Sequence, residues 1–168
     1  MNYQNNSNSV IFINDLADKR LGAYLNIKER DLTGRQSRFI AEGKVVLRVL
    51  LNSAQFEAES LLITENKLAG LGDILSLCPA HVPVYAVSPA DMDQIAGFNV
   101  HRGILAVGKR KNQNDIKDLI AALPENALIV ILCGISNHDN IGSVFRNAAA
   151  FEAACVLLDE TCCDPLYR

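Results

Sequence analysis

Short apolar runs alternate along the chain with segments in which apolar residues recur at helical spacing. Runs of strand length predict β-strands, whereas recurrence every three or four residues predicts helices that bury one face. The strands predicted in the first part of the chain are 10–13, 39–41, 61–63, 82–87 and 103–107. Helices fall between the strands over residues 39–108, and this alternation predicts a compact α/β layered domain.

Several patterns predict the helices of this region. Residues 15–38 are helical in pieces, with a break at Gly34. A helix follows Lys44, and its apolar stripe is predicted to be buried; the stripe consists of Val45, Val46, Val49 and Leu50. The next helix is marked by Leu68, Leu71 and Leu75. Ser88 followed by Pro89 is a helix start signal, and that helix is predicted to end near Gly97.

The second part of the chain predicts one strand–helix–strand unit. Its elements in order are a helix over 115–123, a strand over 127–133, a helix from about Gly142 to Phe151 and a strand over 154–158. The strand over 127–133 is uninterruptedly apolar, which predicts burial on both faces of a parallel sheet. A loop over 134–141 joins it to the following helix.

These patterns divide the chain into a flexible terminus over 1–9, a domain over 10–110 and a second unit over 111–168. The terminus is rich in Asn and Ser, and the polar segment 109–114 is the linker. Two parallel strands and one helix cannot cover both faces of a sheet. The second unit is therefore expected to be the beginning of a larger domain, or to be completed by a partner.

Composition describes a globular protein, because 49% of the residues are hydrophobic and 21% are charged. The sequence has neither an apolar stretch long enough for a membrane span nor a secretion signal. Five cysteines without C-x-x-C spacing and three histidines are poor material for a zinc site. We expect a cytoplasmic protein with reduced thiols and no metal.

The net charge of −3 gives no general attraction to nucleic acid, but cations cluster in two places. One cluster contains Lys28, Arg30, Arg35, Arg38, Lys44 and Arg48. The other contains His101, Arg102, Lys109, Arg110 and Lys111. The clusters could follow phosphates, although charge alone favours two solvated surfaces.

Residues 136–151 are predicted to form a ligand-binding loop and the helix that follows it. A polar loop at the carboxyl end of a parallel strand is where open α/β sheets bind ligands. A helix beginning near Gly142 would offer free N–H groups to an anion, and Arg146 would add forked donors one turn later. The plain alternative is a helix capped by Asp139 or Asn140 with a surface arginine.

The motif N-x-G-x-x-x-R-N-A-x-A-F formed by residues 140–151 resembles the first signature of the SpoU (TrmH-like) RNA methyltransferases of the SPOUT superfamily. Residues 157–159 and 163–168 resemble the segment that comes after this signature in the family. Glu152 departs from the pattern, because the family commonly has Gly after the Phe.

The resemblance extends upstream, where residues 39–43 and 101–107 are similar to the family's substrate-binding domain. It implies an N-terminal α/β domain like certain ribosomal RNA-binding proteins, followed by the first βαβ part of a methyltransferase domain. The residues expected to contact RNA are Arg38, Glu42, Gly43, His101, Arg102, His138 and Gly142.

The resemblance also implies S-adenosylmethionine as methyl donor and a ribose 2′-hydroxyl in ribosomal or transfer RNA as acceptor. It assigns catalytic roles to Arg146 and Asn140. The cofactor pocket belongs to later signatures of a C-terminal knot, so it is expected beyond Arg168, and this chain by itself is expected to be inactive. The whole protein is expected to form a homodimer.

Two other functions remain open at this level. A non-catalytic RNA-binding protein of the ribosomal type would explain residues 39–108 but would leave the motif at 140–151 as coincidence. A phosphate-binding α/β domain of the flavodoxin type would explain the motif but not the upstream domain.

Overall fold

In a computed structural model, the structure describes residues 9–25, 38–111 and 115–166. The chain forms two compact units, Met1–Lys111 and Asn112–Arg168. Several expectations lie outside the described residues: the terminus 1–8, the break at Gly34, the second half of the linker 109–114, the last two residues, and the cations Lys28, Arg30 and Arg35.

The first unit is built on a five-stranded sheet. Its strands are β1 (Val10–Phe12), β2 (Arg38–Glu42), β3 (Phe56–Thr64), β4 (Val84–Val87) and β5 (Ile104–Arg110). Their order across the sheet is β1, β4, β3, β5, β2. β4 is parallel to β1 and β3, whereas β5 is antiparallel to both β3 and β2. The α/β layered prediction for this part of the chain is confirmed.

The helices of the first unit are α1 (Lys44–Leu51), α2 (Gly72–Leu75), α3 (Pro89–Ala96) and two 3-10 helices, Lys19–Leu21 and Glu65–Gly70. Helix α3 begins and ends as predicted, since the Ser88 side chain caps it and Gly97 ends it in a left-handed conformation. The single helix predicted around Leu68–Leu75 is wrong. Gly70 and Gly72 lower helix propensity there, and two short helices form.

The core of the first unit lies on both faces of the sheet. Leu62 of β3 packs in a buried cluster with Met92 of α3. Its neighbour Leu61 is also buried, and alternation along a strand places it on the opposite face, which α1 covers with Leu47 and Leu50. Each such side chain stabilises the fold by about 1.5–3 kcal/mol.

The prediction that α1 buries its valines is wrong. Val45 is 72% exposed, Val49 is 68% exposed, and Val46 is exposed too. Nearly every residue of α1 is apolar, so helical spacing fits the face of Leu47 and Leu50 equally well. The packing of α1 on the sheet selects that second face and leaves an apolar valine surface outside.

A ring and a glycine join the edge strand β2 to β5. Phe39 and Gly108 are register partners, and a Cβ built on Gly108 would lie 2.4 Å from Phe39 Cζ. Phe56 meets the same ring edge-on, with 5.3 Å between ring centroids. The missing side chain at position 108 therefore makes the space that the Phe39 ring fills.

The second unit contains α4 (Ile116–Ala121), β6 (Ile129–Leu132), α5 (His138–Ala150) and β7 (Cys155–Leu158). β6 and β7 are parallel, so the predicted βαβ unit is confirmed. Burial of β6 on both faces is wrong, because Ile131 is 66% exposed. Alternate residues such as Val130 line the side that faces α5, and within the described part of this unit nothing comparable covers the other face. Among the described residues, no helix is long and apolar enough to cross a membrane.

Helix α5 ends with a non-glycine residue in the left-handed region. Glu152 has φ 57° and donates its N–H to the Ala149 carbonyl (3.1 Å). The Ala153 N–H reaches the Ala148 carbonyl at 2.8 Å, which completes the helix-ending motif that usually carries glycine. The departure noted at Glu152 therefore costs about 1–2 kcal/mol of backbone strain.

We expect Glu152→Gly to stabilise α5 by up to about 1 kcal/mol, because relief of the strain outweighs the added chain entropy of glycine. Hydrogen exchange of the α5 amides measures the change. The control is Ala149→Gly, an exposed change in the same helix that should lower stability by about 1 kcal/mol. Faster exchange in Glu152→Gly than in the wild type would contradict this account.

Candidate functional site

Two loops that are distant in sequence meet at one end of the first unit's sheet. β2 ends at Glu42 where β5 begins at Ile104, because the two strands are antiparallel neighbours. The Gly43 N–H donates to the Ile104 carbonyl at 3.1 Å. The structure thus brings the segment of Glu42 and Gly43 together with that of His101 and Arg102.

Gly43 and Gly103 shape this meeting point. Gly43 has φ 90°, and a Cβ there would lie 2.6 Å from Arg102 Cδ. Gly103 has φ 62°, and a Cβ there would lie 2.5 Å from Thr64 Oγ1. The Arg102 side chain therefore rests directly against the Gly43 backbone, a close approach that only glycine permits.

A groove of about 390 Å³ lies at this end of the sheet, and we call it the sheet-end groove. Its lining residues are Lys44, Val45, Lys67, Gly70, Leu71, His101, Arg102 and Ile104. Lys44 also pairs with Asp73 at 2.8 Å, and this hydrogen bond lowers the pKa of the Asp73 carboxyl. Lys67 was missed in the sequence, because no local pattern links the 3-10 helix to the other two segments.

Arg38 does not join this group. It stands at the opposite end of β2, about 13 Å from Glu42 at the usual rise of a strand. There it pairs with Glu59 (2.6 Å) and lies opposite Lys109 in the sheet register. Among the described residues, the fold therefore separates Arg38 and Lys109 at one end of the sheet from His101 and Arg102 at the other.

Helix α5 begins earlier than predicted. Asn137 is its N-cap and accepts the Asn140 N–H at 3.1 Å, so the first helical residue is His138. The expectation of free N–H groups at Gly142 is wrong, because Gly142 lies in the second turn. The polar residues after Asn137 look like a loop, but an N-cap Asn and an early Asp139 both favour a helix start.

The Arg146 side chain folds back toward the start of α5. Its Nη2 donates to Ser143 Oγ at 2.9 Å, and the Ser143 hydroxyl donates to the Asp139 carbonyl at 2.9 Å. A Cβ built on Gly142 would lie 3.6 Å from Arg146 Nη1. Long side chains on helices lean this way, toward the residues three and four positions before them.

Asn140 and Arg146 both lie on α5. Their six-residue separation corresponds to about 9 Å along the axis and about 120° around it. Arg146 leans back toward the turn that contains Gly142 and Ser143. The Asn140 and Arg146 side chains are exposed, as is His138. Ser143 was missed in the sequence, although its position three residues before Arg146 is a usable signal.

Asp159 holds the loop that precedes α5. Its carboxylate accepts the Gly134 N–H at 3.2 Å and the Thr161 hydroxyl at 2.8 Å. These bonds, led by that from Thr161, lower the pKa of Asp159 to about 2. Gly134 has φ 68°, so the chain turns sharply directly after β6.

Cys162 adds a second tie to the same loop. Its sulfur accepts the Ile135 N–H and its thiol donates to the Leu132 carbonyl, both at 3.4 Å. The Cys163 N–H donates to the Ile135 carbonyl at 2.9 Å. The segment after β7 thus holds the segment after β6, which sets where α5 begins.

Comparison with known proteins agrees with this arrangement. Residues 40–114 match the model of a family described as RNA 2′-O ribose methyltransferase substrate binding. An uncharacterized tRNA/rRNA methyltransferase of Mycobacterium bovis is 34% identical over 158 residues, which are 92% of this chain and 53% of that protein. A 23S rRNA (guanosine-2′-O-)-methyltransferase of Vibrio parahaemolyticus is 31% identical over 97 residues, 56% of this chain and 38% of that protein.

The fold has relatives among solved structures. The crystal structure of an AdoMet-bound rRNA methyltransferase from Sinorhizobium meliloti superposes with a TM-score of 0.73 at 15% identity. The superposition covers 94% of this chain and 57% of that one. Fold and matches together define an α/β protein with a SpoU-type substrate-binding domain. Residues 40–114 belong to the substrate-binding domain family of the RNA 2′-O ribose methyltransferases, and the chain spans about half the length of the first curated relatives that it matches.

We expect Asp159→Asn to lower the free energy of unfolding of the second unit at neutral pH. The folded pKa of about 2 lies below the usual value of about 3.9, so the charged carboxylate stabilises the fold above pH 4. That contribution disappears as pH falls from about 4 to 2, and the variant and wild type should converge there. Exchange of the Gly134 amide at several pH values measures the difference.

The control for this prediction is Glu160→Gln. It removes the same charge from an exposed neighbour and leaves the Asp159 carboxylate in place. Equal exchange rates for Asp159→Asn and Glu160→Gln at neutral pH would show that Asp159 does not hold the loop.

Proposed function

We propose that this chain is part of an S-adenosylmethionine-dependent enzyme that methylates a ribose 2′-hydroxyl in ribosomal or transfer RNA. The observation that carries the proposal is the exposed Arg146 guanidinium, held over Gly142 by Ser143 on the helix that also carries Asn140. The family model over residues 40–114 supports RNA as the substrate. The enzyme class is supported by the names of the curated relatives.

Arg146 suits a binding and charge-stabilising role better than that of a base. Arginine stays protonated, with a pKa above about 12. Its forked donors fit the phosphate next to the target ribose, and they would stabilise negative charge as it develops on the 2′-oxygen. The cofactor would supply the electrophilic methyl group, and the protein's task is to align the hydroxyl with it.

Ser143 is a positioning residue in this scheme. Its hydroxyl oxygen accepts one Arg146 N–H and its O–H donates a hydrogen bond to the Asp139 carbonyl, so the guanidinium keeps its other donors for RNA. Asn140 stands one turn before Ser143 and offers an amide to the same substrate. We place the cofactor-binding residues in the part of the family fold that this chain does not span.

The first unit presents the RNA in this proposal. His101 and Arg102 line the sheet-end groove, and Arg102 lies directly against the buried Gly43 beside it. His138 and Gly142 are the second unit's proposed RNA contacts, next to Arg146. Phosphate contacts of this kind position the RNA without specifying its sequence.

Two further properties belong to the proposal. A homodimer of the complete protein is supported by large apolar side chains of the second unit that remain exposed, such as Ile131 and Phe151 at 75%. A cytoplasmic location is supported by the five cysteines, all of which lie in the described part of the chain without a disulfide bond.

We expect Arg146→Lys in the complete gene product to lower methyl transfer to RNA by about 10²-fold or more. Lysine keeps the charge but loses the forked donors that stabilise the developing oxyanion. Transfer of labelled methyl from S-adenosylmethionine to RNA measures the rate. Arg20→Lys, in the surface ion pair with Asp18, should leave the rate unchanged. Turnover of Arg146→Lys within about twofold of wild type would show that the forked donors of the guanidinium are not required.

We expect Arg102→Ala to reduce the salt dependence of RNA binding by about one phosphate contact, while Arg38→Ala has little effect on it. Arg102 lies in the sheet-end groove, whereas Arg38 pairs with Glu59 at the other end of β2. Titration of a labelled RNA hairpin at several salt concentrations measures the two slopes. If Arg38→Ala reduced the slope more than Arg102→Ala, the prediction would be contradicted, because the RNA would then bind at the Arg38 end of β2.

A further inference from the structure

The sheet-end groove has an apolar interior. Leu71 and Ile104 are almost completely buried and form its floor, and Val45 adds an exposed apolar wall. Its volume of about 390 Å³ falls at the small end of ligand sites, which usually enclose about 300–1,000 Å³. A groove of this size admits one small flat group and is far too small for a double helix.

The rim of the groove carries positive charge. Lys67 and Arg102 line it together with His101, and Lys44 lies there too but is paired with the Asp73 carboxylate just outside the lining. Helix α1 begins at the same place behind Gly43, which supplies no side-chain cap to the first-turn N–H groups. Those donors and the positive end of the helix add to the attraction for an anion.

An apolar floor below a cationic rim fits a ligand that joins a flat base to a phosphate. Bases in a paired A-form helix are stacked and shielded, so only an unpaired nucleotide can turn its base into a groove. Arg102 lies against Gly43 and His101 stands beside it, and both side chains have flat faces on which a base can stack.

We propose that the sheet-end groove binds a single unpaired RNA nucleotide, with the base over Leu71 and Ile104 and the phosphate among the rim cations. The inference rests on the proposed RNA substrate and adds the kind of RNA that is recognised. A hairpin with an extruded nucleotide should bind better than the same hairpin fully paired.

The test uses the 168-residue chain and two RNA hairpins that differ by one bulged nucleotide, 2-aminopurine. We expect the bulged hairpin to bind about tenfold more tightly, and its 2-aminopurine fluorescence to change on binding. Val45→Glu places a carboxylate on the groove wall and should remove that preference. Val49→Glu is the matched control, because Val49 is equally exposed on α1 but does not line the groove.

Three results would overturn the inference: equal binding of the two hairpins, equal effects of Val45→Glu and Val49→Glu, or free adenosine monophosphate binding as tightly as the bulged hairpin. Circular dichroism confirms that both variants fold. The methyl-transfer assay on Arg146→Lys is independent of these measurements. Normal methyl transfer without a bulge preference rejects only the groove proposal, whereas a bulge preference without methyl transfer rejects only the enzymatic function.

Discussion

Antiparallel pairing of β5 with β2 on one side and β3 on the other determines where the functional loops of the first unit lie. The Ile104 carbonyl accepts the Gly43 N–H, and the Gly103 carbonyl accepts the Thr64 N–H at 2.9 Å. Backbone atoms make both bonds, so as long as positions 43 and 103 remain glycine they do not depend on the side chains of the other loop residues. The groove can therefore change its ligand contacts without losing its shape, as is common for sites on rigid scaffolds.

In the second unit, side chains hold the functional loop in place. Two parallel strands do not pair through their loops, and the polypeptide after β7 has to hold the polypeptide after β6. Asp159 and Cys162 do this with a carboxylate and a sulfur atom. The helix that carries Arg146 therefore depends on two residues that lie well outside it in the sequence. Such support by outlying hydrogen bonds is what a preorganised site requires.

Local signals predicted much of this structure, and non-local packing decided the rest. The Ser88 cap, the βαβ unit and the placement of Asn140 and Arg146 on one helix can be read from patterns within a few residues. The exposure of Val45 cannot, because an almost wholly apolar helix gives no preferred face until it meets a sheet. Lys67 joined the groove only through strand order, which periodicity does not encode.

The contact between Phe39 and Gly108 constrains how this sequence can change over time. A methyl group at position 108 would occupy the space of the ring, and a smaller residue at 39 would leave a void above the glycine. Either change alone weakens the attachment of the edge strand. The two positions can diverge only together, so this pair should show correlated substitution among descendants of the same fold.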